Sequence, residues 1–177
     1  MTVRAIPERI GPYLIIRLPD TISAALPSRG LVMAEGELNG TPYKAPLEPD
    51  GAKGHWLEIS AALAEQAGAA EGREVLITIE PAADWPEPEM PEDIMSMIRE
   101  ADLMETWDSL TVKARWEWLR WIRSPASEQT RSKRIGTARS KLSAGDRRPC
   151  CFNSASCTVP GLAKSGVLLN TQSLPKK

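Results

Sequence analysis

Between Pro81 and Pro91 the chain places four prolines (Pro81, Pro86, Pro88, Pro91) and three acids (Asp84, Glu87, Glu89). Neither a regular helix nor a central strand crosses such a stretch, because proline fixes φ and brings no N–H to a hydrogen-bond ladder. Residues 82–91 therefore read as an extended linker. The hydrophobic period changes at the same place. Before it, apolar residues come in short runs or alternate, as strands require; after it, they recur every three to four residues, as helices require. The chain is expected to be α+β in two parts: a β module over residues 1–81, a helical module over 92–155, and a partly disordered tail over 156–177.

The β module is legible in pieces. Tyr13 to Leu18 is a short apolar run between Pro12 and Pro19, the mark of a buried strand. LVMAEGEL (Leu31 to Leu38) meets Asn39-Gly40, a tight-turn pair because both residues tolerate positive φ. TPYKAPLEP (Thr41 to Pro49) returns from that turn, and its prolines predict a strand that is short or at an edge. HWLEI (His55 to Ile59) and EVLITIEP (Glu74 to Pro81) complete the strands, with a short helix Ala61 to Ala67 between them, capped by Ser60 and stopped by Gly68. Strands this short predict a small closed barrel, which leaves no open edge. After the linker the pattern predicts a helical bundle: a helix from Pro91 with Ile94, Ile98 and Ala101 on one face, a short helix around Leu103 to Leu110, a third over Thr111 to Arg123, and a fourth ending near Ala144-Gly145. From Asp146 no period is strong, and the last ten or so residues read as disordered.

Charge divides along the same axis. Residues 1–110 hold 8 Lys+Arg against 20 Asp+Glu, and residues 111–177 hold 14 against 3, although the formal net charge is −1. An acidic and a basic module either neutralise each other or face different partners. The basic part holds RWEWLRWIRSPASEQTRSKRI (Arg115 to Ile135), with three of the six tryptophans. On a helical wheel Val112, Trp116, Leu119 and Ile122, extended by Trp118, form a broad apolar face that should be core. Trp121 lies nearly opposite, and Arg120, Lys113 and Glu117 make the solvated side. Arg115 falls inside the apolar arc, where a guanidinium needs a carboxylate or backbone partner. It is either a structural ion pair or a ligand-binding arginine. The next helix sets Ile135, Ala138 and Leu142 as its stripe, with Arg131 close to it and Lys133, Arg134, Arg139 and Lys141 around the rest.

These same residues carry a resemblance. WIRSPASEQTRSKRI followed by KLSAGDRRPCCFN (Lys141 to Asn153) resembles the YdeI/OmpD-associated family, also labelled bacteriocin-protection. Its segment reads W-I, a spacer, a lysine, then E-T-R-x-x-R-I. Trp121-Ile122, Thr130-Arg131 and Arg134-Ile135 match; Ala126 stands where lysine is usual and Gln129 where glutamate is usual, so those two charges are absent. RGLVMAEGELNGTPYKAPLEPDGAKGHWLEIS and AAEGREVLITIEP are similar to the small β-barrel domain of unknown function that often precedes that module, with Gly72-Arg73 in place of its usual Gly-Asp, and EPEMPEDI is similar to the joining segment. The resemblance covers roughly residues 12–155. It implies a barrel of about six strands, association with a porin, and protection against bacteriocins or cationic antimicrobial peptides. It implies no reaction.

Searches for catalytic chemistry end without a constellation. The one histidine, His55, is accompanied by no Gly-x-Ser-x-Gly elbow, and DGAKGH lacks the Gly-Lys-Ser/Thr of a phosphate loop. Cys150, Cys151 and Cys157 fall short of the four ligands and the spacing of a zinc site. Neither a cofactor nor a metal is expected. An odd thiol count and the lack of a targeting or membrane segment place the chain in the cytoplasm, without membrane insertion. Arg115, Trp121, Arg131, Arg134 and His55 are the candidate ligand- or partner-contacting residues. The ranking that follows is a non-enzymatic binding or stress-protection protein with a protein partner, then a nucleic-acid-binding regulator whose binding is weak or nil, then an enzyme with a pocket between barrel and bundle.

Overall fold

The computed structural model describes residues 1–170, so the disorder expected of the final residues falls mostly outside the described range. The chain forms two compact units. Of the described residues, the first comprises 1–84, 154–157 and 162–170; the second comprises 85–153 and 158–161.

The first unit is a curled antiparallel sheet. Its strands are β1 (Thr2–Ala5), β2 (Glu8–Ile10), β3 (Tyr13–Arg17), β4 (Val32–Leu38), β5 (Thr41–Pro49), β6 (His55–Glu58), β7 (Val75–Thr78) and the two-residue β8 (Glu80–Pro81). The order is β1-β7-β4-β5-β6-β3-β2, with β8 pairing β4. Helices α1 (Asp20–Ala25) and α2 (Ala61–Ala67) interrupt it. The sheet is a half-barrel of seven strands, which corrects the expectation of a closed barrel of about six. Both ends of the order, β1 and β2, come from the N-terminal segment. They follow each other along the chain through Ile6-Pro7 and do not pair side by side, so no ladder joins them.

β5 also departs from expectation: it has nine residues and pairs on both sides, with β4 and β6. Its prolines are accommodated by register. Asn39 (φ 49°) and Gly40 (φ 80°) form the two-residue turn, so Leu38–Thr41 is a hydrogen-bonded pair. Pro42 and Pro46, opposite Glu37 and Met33, then occupy non-hydrogen-bonded positions, and their missing N–H faces the side where β6 pairs only from Leu47 onward. Asn39 ties the turn down. Its Oδ1 accepts from the Leu76 N–H (2.9 Å) and its Nδ2 donates to the Ala67 carbonyl (3.0 Å). Ser60 caps α2 and Gly68, at φ 60°, ends it. Ile16, Leu38, Leu47, Leu57, Ile77 and Ile79 form the core inside the curl.

The segment read as tail contributes to this unit. Strands β9 (Ala163–Lys164) and β10 (Val167–Leu168) make a hairpin, the Leu168 N–H donates to the Asp50 carbonyl (2.8 Å), and Arg17 donates to the Leu169 carbonyl. Leu162 and Leu168 are buried.

The second unit has helices α3 (Glu92–Glu100), α4 (Met104–Asp108), α5 (Val112–Arg123) and α6 (Glu128–Ser143). Thr111 caps α5 and Ser127 caps α6 through their hydroxyls, each satisfying a backbone N–H that a helix start leaves without a partner. Ile94, Ile98, Trp107, Trp118, Ile122, Ala138 and Leu142 share one core. Among the described residues no helix is long and apolar enough to cross a membrane.

Candidate functional site

Helix α5 buries Trp118, Leu119 and Ile122 as its wheel indicated, but leaves Val112 and Trp116 half-buried, so its inward face is shifted. Ala114, Trp118, Leu119, Trp121 and Ile122 are buried, and so is Arg120, which is fully enclosed instead of solvated. Trp116 is only half-buried. Trp118 and Trp121 meet edge to face, with centroids 5.9 Å apart and planes at 83°, an arrangement the ring quadrupoles favour. The apolar arc is therefore turned toward Ala114 and Trp121. A wheel read from hydrophobicity alone could not see that Arg120 would find cover, with its guanidinium 5.5 Å from the Phe152 ring.

Turning Trp116 outward frees it to hold the proline-rich strap. Its indole N–H donates to the Pro86 carbonyl (2.8 Å). Next to it Lys113 sits over the Trp85 ring (5.5 Å), and Arg115 grips Glu87 with two guanidinium nitrogens, Nε at 2.9 Å. Nη1 of Arg115 also donates to the Leu110 carbonyl (2.6 Å) and reaches those of Trp107 and Asp108 (3.3 Å each). The anomalous arginine thus has both kinds of partner: a carboxylate on the strap and the carbonyls that end α4, where a cation is favoured.

Strap, α3, α4 and the base of α5 enclose a groove of about 470 Å³, lined by Glu87, Pro88, Met90, Met95, Met104, Trp107, Asp108 and Arg115. Three thioethers and an indole give it an apolar, adaptable lining. The segment that builds most of it is acidic: residues 85–110 hold eight Asp and Glu against one Arg, and Glu87 and Asp108 are in the lining. Two of those acids are neutralised within the unit, Glu87 by Arg115 and Asp93 by Arg131. The lining contains neither a hydroxyl or thiol nucleophile nor an imidazole. The sequence reading passed over this groove apart from Arg115. The available signal was compositional: four of the six methionines fall in residues 90–104.

The remaining candidates are dispersed. Arg131 pairs with Asp93, with Nη2 at 3.0 Å from Oδ1. That hydrogen bond raises the guanidinium pKa and holds the Asp93 carboxyl below the usual carboxylate range. Arg134 lies 4.9 Å over the Trp121 ring, donating to the Trp121 carbonyl and to Ser124 Oγ, so these two candidates are brought together. Burial lowers the Arg134 pKa from the ordinary arginine value. His55 belongs to the first unit. It is 1% exposed, its Nε2 lies 3.0 Å from the Gly30 carbonyl, its Nδ1 has no partner among the described residues, and burial lowers its pKa. Among the described residues no group of three or more His, Cys, Asp or Glu is arranged to hold a metal ion.

Comparison with known families agrees with this two-part geometry. Residues 2–79 match the model of DUF1905, a domain of unknown function. Residues 87–145 match the model described as bacteriocin-protection, YdeI or OmpD-associated, a span that holds the whole lining of the groove. No curated protein matches the chain significantly.

Proposed function

We propose that this chain, which joins a DUF1905 domain to a domain of the YdeI or OmpD-associated family, is a cytoplasmic, non-enzymatic binding protein whose ligand is a cationic amphipathic peptide segment. The observation that carries the reading is the groove: three methionines and an indole, with Asp108 beside them, in an acidic stretch of the chain. An amphipathic helix lays its apolar face into such a groove, methionine adapts to different apolar side chains, and the flanking lysines or arginines of the ligand meet Asp108, exposed in the lining, and the exposed Glu89, which stands in the chain between the lining residues Pro88 and Met90. The family description, bacteriocin protection, supports the same class of ligand, since sequestering a cationic antimicrobial peptide is one way to protect against it.

The test is fluorescence anisotropy with an amphipathic Leu/Lys helical peptide and its Leu/Glu counterpart. The cationic peptide should bind and weaken as salt rises, because exposed charges are screened; the anionic one should not bind. Met95→Lys, which puts a charge into the half-buried lining, and Glu89→Lys, on the exposed rim, should each weaken binding about tenfold, or ~1.4 kcal/mol. Equal binding of the two peptides, or indifference to both substitutions, would remove the reading.

Nucleic acid is the second candidate ligand. Of the five cations on α6, Arg131, Arg134 and Lys141 are turned onto Asp93, Trp121 and Asp146, while Lys133 and Arg139 remain exposed. Two outward charges support only weak, sequence-independent contact with phosphate, steeply reduced by salt.

A further inference from the structure

Beyond the groove, we propose that Cys150 and Cys151 form a chelating dithiol that captures a trivalent arsenical. Both thiols are exposed and their Sγ atoms lie 3.3 Å apart. Successive side chains of an extended segment point to opposite sides; here Cys151 adopts φ 55°, a left-handed conformation uncommon outside glycine, and the turn gathers both sulfurs on one side. The turn is anchored at each end. Pro149 is buried ahead of it, and Phe152 behind it stacks against the Arg120 guanidinium. The Lys141 ammonium, held by Asp146 at 3.2 Å, lies close enough to interact with both sulfurs. The thiol of Cys151 is held above its ordinary range first by its hydrogen bond to Cys150 and then by that neighbour's charge, with Lys141 opposing.

The spacing selects the ligand. Adjacent Cα atoms across a trans peptide are about 3.8 Å apart, whereas a disulfide usually spans roughly 4.4–6.8 Å, so joining these two sulfurs directly is strained. A tetrahedral zinc with bonds of about 2.3 Å wants sulfurs near 3.8 Å and four ligands in all, and no third metal-ligating side chain joins the pair among the described residues. Trivalent arsenic is pyramidal, has narrower angles, takes two sulfurs and keeps its third substituent. With an organic arsine oxide, two S–As bonds form and the As=O oxygen leaves as one water carrying both thiol protons; no oxidation state changes.

The experiment treats the reduced full chain with equimolar phenylarsine oxide. The intact mass should gain one reagent less one water, and thiols titrated in denaturant should fall from three, the chain's cysteine count, to one. A dithiol should reverse the adduct and a monothiol should not. Cys150→Ser and Cys151→Ser, both at exposed positions, should each lower affinity about 10²–10⁴-fold by removing the intramolecular second bond. An adduct held equally tightly by either variant would overturn the proposal, as would its absence in the parent, or a Cys150–Cys151 disulfide forming first under mild oxidation.

Discussion

Replacing Trp118 by alanine should cost far more than replacing Trp116, although a wheel drawn from the sequence makes both core residues. Trp118 has no exposed surface, and a buried indole removes about 150–250 Å² from water. At roughly 25 cal/mol per Å² that is about 4–6 kcal/mol. Loss of the edge-to-face pair with Trp121 adds about 0.5–1.5 kcal/mol. One term opposes. The Trp118 Nε1 is buried with no acceptor among the described residues, and deleting such a donor returns about 1–3 kcal/mol. The net is about 3–5 kcal/mol, the usual range for emptying a large aromatic site. Trp116, half-buried with one exposed hydrogen bond to the Pro86 carbonyl, should cost about 1–2 kcal/mol. Trp118→Phe keeps most of the ring, deletes the donor, and should stay within about 1.5 kcal/mol. Urea melts followed by far-UV circular dichroism, compared at unchanged m-value, give the three numbers. Equal losses for the two alanine variants, or a costlier Trp116, would refute the orientation assigned to α5.

Burial lowers the His55 pKa, so below the unfolded-state value of about 6.5 the unfolded chain binds the extra proton first. Stability should fall as pH drops from about 6.5 toward the folded-state pKa, by at most ~1.4 kcal/mol per pH unit from this group, and His55→Gln should flatten that part of a pH series of melts. Gly51 and Gly40 share a positive φ, near 80°, but a Cβ on Gly51 would lie 2.0 Å from the Gly166 carbonyl oxygen while one on Gly40 meets nothing within 4 Å. Gly40→Ala should cost about 1–2 kcal/mol, the left-handed penalty alone, and Gly51→Ala about 1–3 kcal/mol more by overpacking, with new protease sensitivity in the β9–β10 hairpin as the accompanying sign.

Where local chemistry dictates structure, the sequence was a sound guide. Asn39-Gly40 and Ser60 with Gly68 set a turn and the two ends of a helix through their own atoms, and each lies where expected. Where a long-range partner decides, it was silent. β1 and β2 are brief segments whose pairing rests on β7 and β3. β5 keeps its prolines in a central strand only because of register. Arg120 is enclosed by neighbours that no wheel contains. The groove shows the same division: Arg115 stood out as a charge in an apolar arc, whereas Met90, Met95 and Met104 gather only once the strap is tied down by Trp116 and Arg115.

The return of the chain to the first unit has a consequence for synthesis. β8 ends at Pro81 and β9 begins at Ala163, about 80 residues that take a ribosome roughly 4–16 s at ~5–20 residues per second. During that interval the nascent sheet lacks the Leu169 carbonyl for Arg17 and the Leu168 N–H for Asp50. The four helices, whose contacts are largely local and therefore quick to form, emerge in full before the hairpin does. Translation halted just after Gly161 would release every residue of the helical unit and leave the earlier-made sheet incomplete, so a lesion late in the message would act on the part of the protein made first.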